Sequence, residues 1–429
     1  MSNRKKHQLI EIEWPTYAPS QRPPKFSLAT FETRLNNVQE AMDKKGLSHL
    51  LVYADREHSA NLAYLTNFDP RFEEALLIIS QENTPLLVVG NECAGYLPIS
   101  PLHTANKMRN ELYQPFSLLN QPRDKSRTIK EILASEGIEK QSQVGCIGWK
   151  YMEPNEQPNA QFAIEIPAYI VDACRELSSW EQVTNASDIL MHPDHGLRAT
   201  CTVEEIAYFE YTNFLAAEGM KNLLFGLREG IIDFEAAQLA NYNGEPLGCH
   251  PTFSTGNNWQ NGLCSPSGQT IQRGVPLSTN ISYWGSNCCR SGWIAEGAKD
   301  LPAAAQDYAE NFAGVYFEVM NEWFKLMQVG TNGGTISDLI EDNLPFDKFG
   351  IFLNPGHLIH YDEWLSSPIF PNSPYALRSG MVMQVDVIPF STVYGSTRME
   401  DTIVIADSQL QAQLKEQFSD VYGRCIARR

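Results

Sequence analysis

A break in pattern near the middle of the chain constrains the fold more than any other feature. His192-Pro193-Asp194-His195-Gly196 is a polar cluster carrying Pro, Asp and Gly, which reads as a linker. Thr202-Val203-Glu204-Glu205 follows closely and has the form of a capping box. Its Thr hydroxyl can take a free backbone N–H at a helix start while Glu205 reaches back to the cap. The helix it opens is predicted to run for about 25 residues, with Ile206, Phe209, Phe214, Ala217 and Leu224 among its buried positions. A long capped helix after a linker marks the start of a second folding unit.

Before the break, helix and strand patterns alternate. Phe31, Leu35, Val38 and Met42 recur at helical spacing, and Gly46 closes the segment. Residues 48–54 (SHLLVYA) read as a buried strand, 61–65 as a short helix, and 75–80 and 85–89 as further strands. Residues 128–136 are predicted helical, 143–147 a strand and 170–173 another strand. This is the pattern of an α/β layer domain. After the break a second helix is expected over 233–242, and residues 249–298, rich in Gly, Ser, Asn and Cys, predict short strands and turns. A long helix over 303–327, a shorter one capped by Thr335 with Asp338 three residues on, and a hairpin-like alternation over 381–406 complete an α+β half. The expected organisation is an extended, loosely held arm over 1–24, an α/β domain over 25–193 and an α+β domain over 194–429 with a helical tail. The fold class is therefore α/β plus α+β.

Composition narrows the function. The 429 residues carry 33 Lys+Arg against 51 Asp+Glu, a formal charge of −18. Nucleic acid and anionic lipid surfaces both demand clustered positive charge, so neither is an expected partner. The basic start Arg4-Lys5-Lys6 leads into Leu9-Ile10-Glu11-Ile12-Glu13, which has acids where a secretory leader needs an apolar run. No apolar stretch is long enough to span a bilayer. The nine cysteines show no regular spacing, which argues against a disulfide scaffold. A cytoplasmic protein acting on a small molecule is expected.

The chemistry-bearing motifs lie in the second half. Gly380-Met381-Val382-Met383-Gln384-Val385-Asp386-Val387-Ile388-Pro389 and then Arg398-Met399-Glu400-Asp401-Thr402 resemble the last two motifs of the pita-bread superfamily. That superfamily includes methionine aminopeptidase, prolidase, aminopeptidase P and creatinase. Pro355-Gly356-His357 resembles its glycine-histidine motif, and Leu197-Arg198 with Glu204-Glu205-Ile206 resembles the entry to its first helix. In the first half, Gly46-Leu47 and then Asn61, Tyr64, Leu65 and Thr66 resemble the creatinase/prolidase type of N-terminal domain. The resemblance spans most of residues 30–407. It implies a creatinase/prolidase-type α/β domain followed by a pita-bread domain of antiparallel strands flanked by helices, a homodimer, and hydrolysis of a C–N bond.

The metal ligands depart from that pattern. Peptidases of the superfamily hold two metal ions with two Asp, one His and two Glu, because two close cations need bridging carboxylates between them. Here Asn280 and Asn287 stand where acids are expected, the gap between them is shorter than the family's, and Asp386 replaces the first Glu. A neutral amide is a poor ligand for a hard cation and cannot bridge two with charge. The resemblance then leaves three readings open. In one, the protein is a metal-free hydrolase resembling creatinase, needing no cofactor. Asp386 and Glu400, helped by Asn280, Asn287 and Arg290, would hold a cationic substrate while His357 or His360 moves the proton. In the second, His357, Asp386 and Glu400 hold one divalent metal ion. In the third, the fold binds a ligand or partner without catalysis.

Other residues read less sharply. In Cys288-Cys289-Arg290 a thiolate beside an arginine would have a lowered pKa, although cysteines filling space in a strand is the plainer reading. Arg290 is expected to pair with Asp386 or Glu400, and His360 to Glu363 reads either as part of the site or as a solvated loop. His250 is expected to be structural, and Cys264 stands near where the peptidases place a substrate-binding histidine. Trp259, Trp284 and Trp293 are expected in the core. Gly330-Thr331-Asn332-Gly333-Gly334 lacks the Lys-Ser/Thr of a phosphate loop, and there is neither a zinc-type Cys-x-x-Cys nor a nucleophile elbow.

Overall fold

The computed structural model describes residues 10–14 and 19–427. The basic start at Arg4-Lys5-Lys6 and Pro15 of the arm lie outside the described residues. The chain divides into two compact units, one of residues 24–198 and one of residues 199–429 with the N-terminal segment up to Pro23. The described arm residues have no regular structure but are anchored on the second unit. Ser20 Oγ donates to Glu210 at 2.5 Å, Arg22 pairs with Glu245 at 2.9 Å, and Trp14 meets Phe225 edge to face.

The first unit begins with the helix Leu28–Lys45. Ser27 caps it by accepting from Thr30 N–H, and Gly46 ends it at φ 67°, a left-handed conformation that favours glycine. Phe31, Leu35, Val38 and Met42 form its buried face. Six strands follow: β1 (His49–Ala54), β2 (Ala75–Ser80), β3 (Leu86–Val89), β4 (Arg109–Leu112), β5 (Val144–Ile147) and β6 (Val183–Asn185). They form one mixed sheet in the order β4-β3-β2-β1-β5-β6. The central strand β1 pairs antiparallel with β2 and parallel with β5. It is buried along its whole length, which is why it reads as an unbroken apolar run. Residues 170–173 were expected as a strand but lie in the helix Ala168–Leu177. Ile170, Val171, Ala173 and Cys174 sit on one helical face against the core, a spacing that four residues alone cannot separate from a strand.

The second unit opens with the helix Val203–Gly226, and its capping box is formed as expected at Thr202 and Glu205. The next helix stops at Gln238 rather than near residue 242, since Asn241 and Gly244 take positive φ. Strands β7 (Thr252–Ser254), β8 (Val275–Tyr283) and β9 (Ser286–Ile294) are antiparallel. The turn from β8 to β9 is Trp284-Gly285; Gly285 has φ +72°, and a Cβ there would stand 1.8 Å from the Phe209 ring. The expected long helix over 303–327 is broken into a 3-10 turn, a π turn at Ala309–Ala313 and the helix Gly314–Leu326. Phe312 and Tyr316, four residues apart across the junction, are both fully buried. Asn332 rather than Thr335 caps the next helix, Gly333–Asn343, by accepting from Gly334 N–H.

The last strands are β10 (His357–Leu358), β11 (Val382–Gln384), β12 (Phe390–Ser391), β13 (Gly395–Ser396), β14 (Arg398–Glu400) and β15 (Thr402–Val404). The alternation over 381–406 is not one hairpin. β15 pairs with β11, whereas β14 pairs with β9, and β12 with β13 makes a small hairpin between them. The run from Arg398 to Val404 therefore passes from one sheet to another, with Asp401 at the crossing. Helices Ser408–Gln417 and Ser419–Ala427 form the tail, and Arg424 grips Glu210 with two hydrogen bonds. Among the described residues no helix is long and apolar enough to cross a membrane.

Candidate active site

The crossing between the two sheets collects the polar side chains of the second unit. β10 brings His357, the segment after β11 brings Asp386, β14 brings Glu400, and β8 and β9 bring Asn280 and Asn287. Each of these residues is at most 5% exposed. Their strands are paired in register: His357 stands opposite Gln384, and Glu400 opposite Cys289, which itself faces Asn280.

His357 Nδ1–H donates to the Leu358 carbonyl at 3.1 Å, so Nε2 is the nitrogen left to face the site. Nε2 lies 3.4 Å from Glu363 Oε1 and 3.7 Å from Asp386 Oδ2. Trp364 stacks on the imidazole at 4.0 Å between ring centres. Burial opposes charge on His357, but the Glu363 and Asp386 carboxylates outweigh it and raise the pKa to about 9. It is an imidazolium at neutral pH. Burial likewise favours the protonated form of Glu363, yet the His357 cation holds that carboxyl below its ordinary range. Burial pushes Asp386 up, and it pushes Glu400 up to about 8 with the Asp386 charge adding to it.

Glu400 is held from two sides. Asn287 Nδ2 donates to its Oε1 at 2.7 Å, and Arg398 Nη1 stands 3.7 Å from its Oε2. Asn287 also donates to Glu363 Oε1 at 3.1 Å, and Asn280 Nδ2 donates to Asn287 Oδ1 at 3.3 Å. Gln384 links the Asn287 carbonyl to Glu400, and Thr402 fixes Gln384 at 2.7 Å. Glu363, whose side chain is 22% exposed, is more open to solvent than His357, Asp386, Glu400 or Arg398.

The two histidine candidates separate. His357 is in the network, whereas His360 turns to Glu205, with its Nε2 3.1 Å from Oε1. The strand ends at Leu358 and the chain bends at His360, so the two side chains face different groups. Arg290 pairs with neither Asp386 nor Glu400 but makes two 2.9 Å hydrogen bonds to Asp401. Arg398 occupies the place beside Glu400 instead. The idea of an activated thiolate fails as well, because burial raises both Cys288 and Cys289 well above the ordinary thiol range. Trp259, Trp284 and Trp293 are half-buried and not core: they stack on Phe390, stack on Tyr361 and donate to the Tyr394 carbonyl respectively. The solvated-loop reading of 360–363 is also wrong, since Glu363 ion-pairs with His357. Trp364, Gln384 and Arg398 are site residues to which sequence reasoning gave no role, and Glu363 was named only as the end of a segment read either as site or as loop. An acid and an aromatic close behind a glycine-histidine motif were the available signal for Glu363 and Trp364.

His357, Asp386 and Glu400 each offer a donor atom, and all three lie within 4.8 Å of one another. A single ion would find a histidine and two carboxylates there. A pair of ions would not be served. Asn287 turns its N–H donors toward Glu363 and Glu400, and Arg398 adds a buried cation on the far side of Glu400.

Residues 34–149 match the family model described as the Creatinase/Prolidase N-terminal domain. No curated protein sequence matches the chain. Among solved structures, the prolidase from Pyrococcus horikoshii OT3 superposes with a TM-score of 0.66 at 15% identity, covering 87% of this chain and 95% of that one. The Xaa-Pro dipeptidase from Bacillus anthracis gives 0.65 at 15% identity, covering 88% and 95%. The N-terminal domain of FACT complex subunit SPT16 from Cicer arietinum gives 0.61 at 16% identity, covering 89% and 95%. The chain thus has a creatinase/prolidase-type N-terminal domain and the pita-bread fold.

Proposed function

From that architecture we propose that the protein is a hydrolase of a C–N bond in a small polar molecule, working without a dinuclear metal centre. The observation that carries this is His357 Nε2 set between two acidic side chains, Glu363 and Asp386, in a buried site. A protonated imidazole held this way can give its Nε2 proton to a departing nitrogen. Asp386, whose affinity for protons burial has raised, can take one from the attacking water. The pair resets when that proton returns to Nε2, 3.7 Å from Asp386 Oδ2. Glu363, ionised and more open to solvent, would orient a cationic group of the substrate. Glu400 is less suited to that task, because it is almost fully buried. The internal cations His357 and Arg398 balance the carboxylates that paired metal ions would otherwise balance.

A second reading, a pita-bread protein that binds without catalysis, is favoured by the stack of Trp364 on His357, which covers the imidazole. Turnover of Xaa-Pro dipeptides, creatine and related amidines, measured with chelator present, decides between them. Hydrolysis that survives the chelator and is lost in His357→Ala supports the hydrolase. No turnover across the panel favours the binding protein. Turnover that needs two metal ions, released together in His357→Ala, sinks the metal-free proposal, and one such ion would instead mark a mononuclear site.

A further inference from the structure

A second buried cluster lies apart from the site just described. Cys201, Glu205 and His360 are 7%, 2% and 0% exposed, and their donor atoms all lie within 4.8 Å of one another. Cys201 and Glu205 are four residues apart, and His360 lies 155 positions beyond Glu205. Cys201 ends the segment leading into the helix Val203–Gly226, Glu205 lies in the first turn of that helix, and His360 follows β10. Backbone bonds fix each segment. Cys201 N–H donates to the Gly380 carbonyl at 2.8 Å, and His360 N–H donates to the Asp362 carbonyl at 3.0 Å. Glu205 is fixed through Oε2, which accepts from Thr202 N–H at 2.8 Å and Thr202 Oγ1 at 3.0 Å. Its other oxygen, Oε1, is therefore directed at His360 Nε2, 3.1 Å away.

We propose that Cys201, Glu205 and His360 bind a zinc ion. The donor set is one sulfur, one nitrogen and one oxygen, a mixture that suits a borderline ion such as zinc better than magnesium or calcium. Around tetrahedral zinc, with bonds of about 2.0–2.3 Å, donors stand roughly 3.3–3.8 Å apart. The nitrogen and oxygen are already near that spacing, so a small inward shift of the thiol completes three ligands. A fourth position remains for water or a nearby carbonyl. The start of the helix Val203–Gly226 places positive dipole at this point, which disfavours a cation. Two anionic donors, the Glu205 carboxylate and the Cys201 thiolate, offset it, and binding would release the thiol proton. The ion would tie the entry of the first helix to the segment that carries His357 three residues before His360. Its role is structural, and it does not depend on the hydrolase reading.

The test is zinc content and zinc response of the full chain. Wild type grown with zinc and purified without chelator is expected to hold about one zinc ion per chain. His357→Ala should keep it, and Cys201→Ala and His360→Gln should lose it. Restoring zinc to chelator-stripped wild type should raise the thermal midpoint by about 5 °C, while magnesium should not. Cobalt-substituted wild type should show a near-ultraviolet thiolate-to-metal band, which keeps the test valid where a variant fails to fold. Absence of zinc with no thermal shift and no cobalt–thiolate band overturns the proposal. So does zinc retained in Cys201→Ala. Loss of zinc in His357→Ala with retention in Cys201→Ala would place the ion in the other cluster.

Discussion

The two units of this protein bury very different interiors. The first centres on β1, whose neighbours include Leu76, Ile78, Val144 and Cys146 in one apolar cluster. The second has apolar clusters too, such as that of Leu223, Phe253 and Ile271, but it also buries His357, Asp386, Glu400, Asn280, Asn287 and Gln384 in one network, with Arg398 against it. Burying apolar surface is favourable at about 25 cal/mol per Å², whereas a buried charge costs stability unless it is paired and hydrogen-bonded. The first interior is what holds a fold together. The network is a cost that packing alone would not select, and its presence is the physical reason to look for chemistry there.

Substitutions can break that contrast. Leu51→Ala removes a fully buried side chain from β1 and is expected to cost about 4 kcal/mol, read as a lower urea midpoint for the first unit. Arg398→Ala should cost less, about 3 kcal/mol, because Glu400 and Asp386 can protonate once their cation is gone. A loss that grows from pH 5 to pH 8 would show this relief at work; a pH-independent loss would mean Arg398 matters only by its packing. Asn287→Asp places another carboxylate against Glu400 and Glu363 and should cost about 2 kcal/mol at pH 8 and little at pH 5. Added manganese should recover stability in that variant if a carboxylate at this position completes a metal site.

The pH profile of wild type tests the same contrast without a substitution. A raised folded pKa for His357 means its contribution is complete below the unfolded value near 6.5 and is lost as pH rises through about 9. Glu400, raised to about 8, acts in the same direction, since the native state holds its proton where the unfolded chain has released it. Stability should fall as pH rises from 6.5 to 9, and His357→Gln should flatten part of that slope. An unchanged slope in His357→Gln would assign it to Glu400.

The elements were legible where local chemistry fixes them. The helix from Leu28 announces its buried face and its glycine stop, and Thr202 with Glu205 announces the long helix. Errors came where length or context decides. Four apolar residues at 170–173 fit a strand or one helical face, and the glycine pair at 333–334 let a helix begin before Thr335. In the site, a motif marked His357, Asp386 and Glu400, and substituted positions in that motif pointed to Asn280 and Asn287. Arg398 carried the same motif as Glu400, yet the ion pair was expected from Arg290.

Sequence by itself determined the two-unit plan, the apolar first interior and the presence of amides at positions 280 and 287. These follow from residue type and from spacing along the chain. Only the tertiary structure decided that Glu363 and Trp364 close on His357, that Arg290 goes to Asp401, and that His360 joins Cys201 and Glu205. The first is a local return of the chain after β10, which residue types alone do not reveal. The other two join residues more than a hundred positions apart, and distance in sequence carries no trace of that packing.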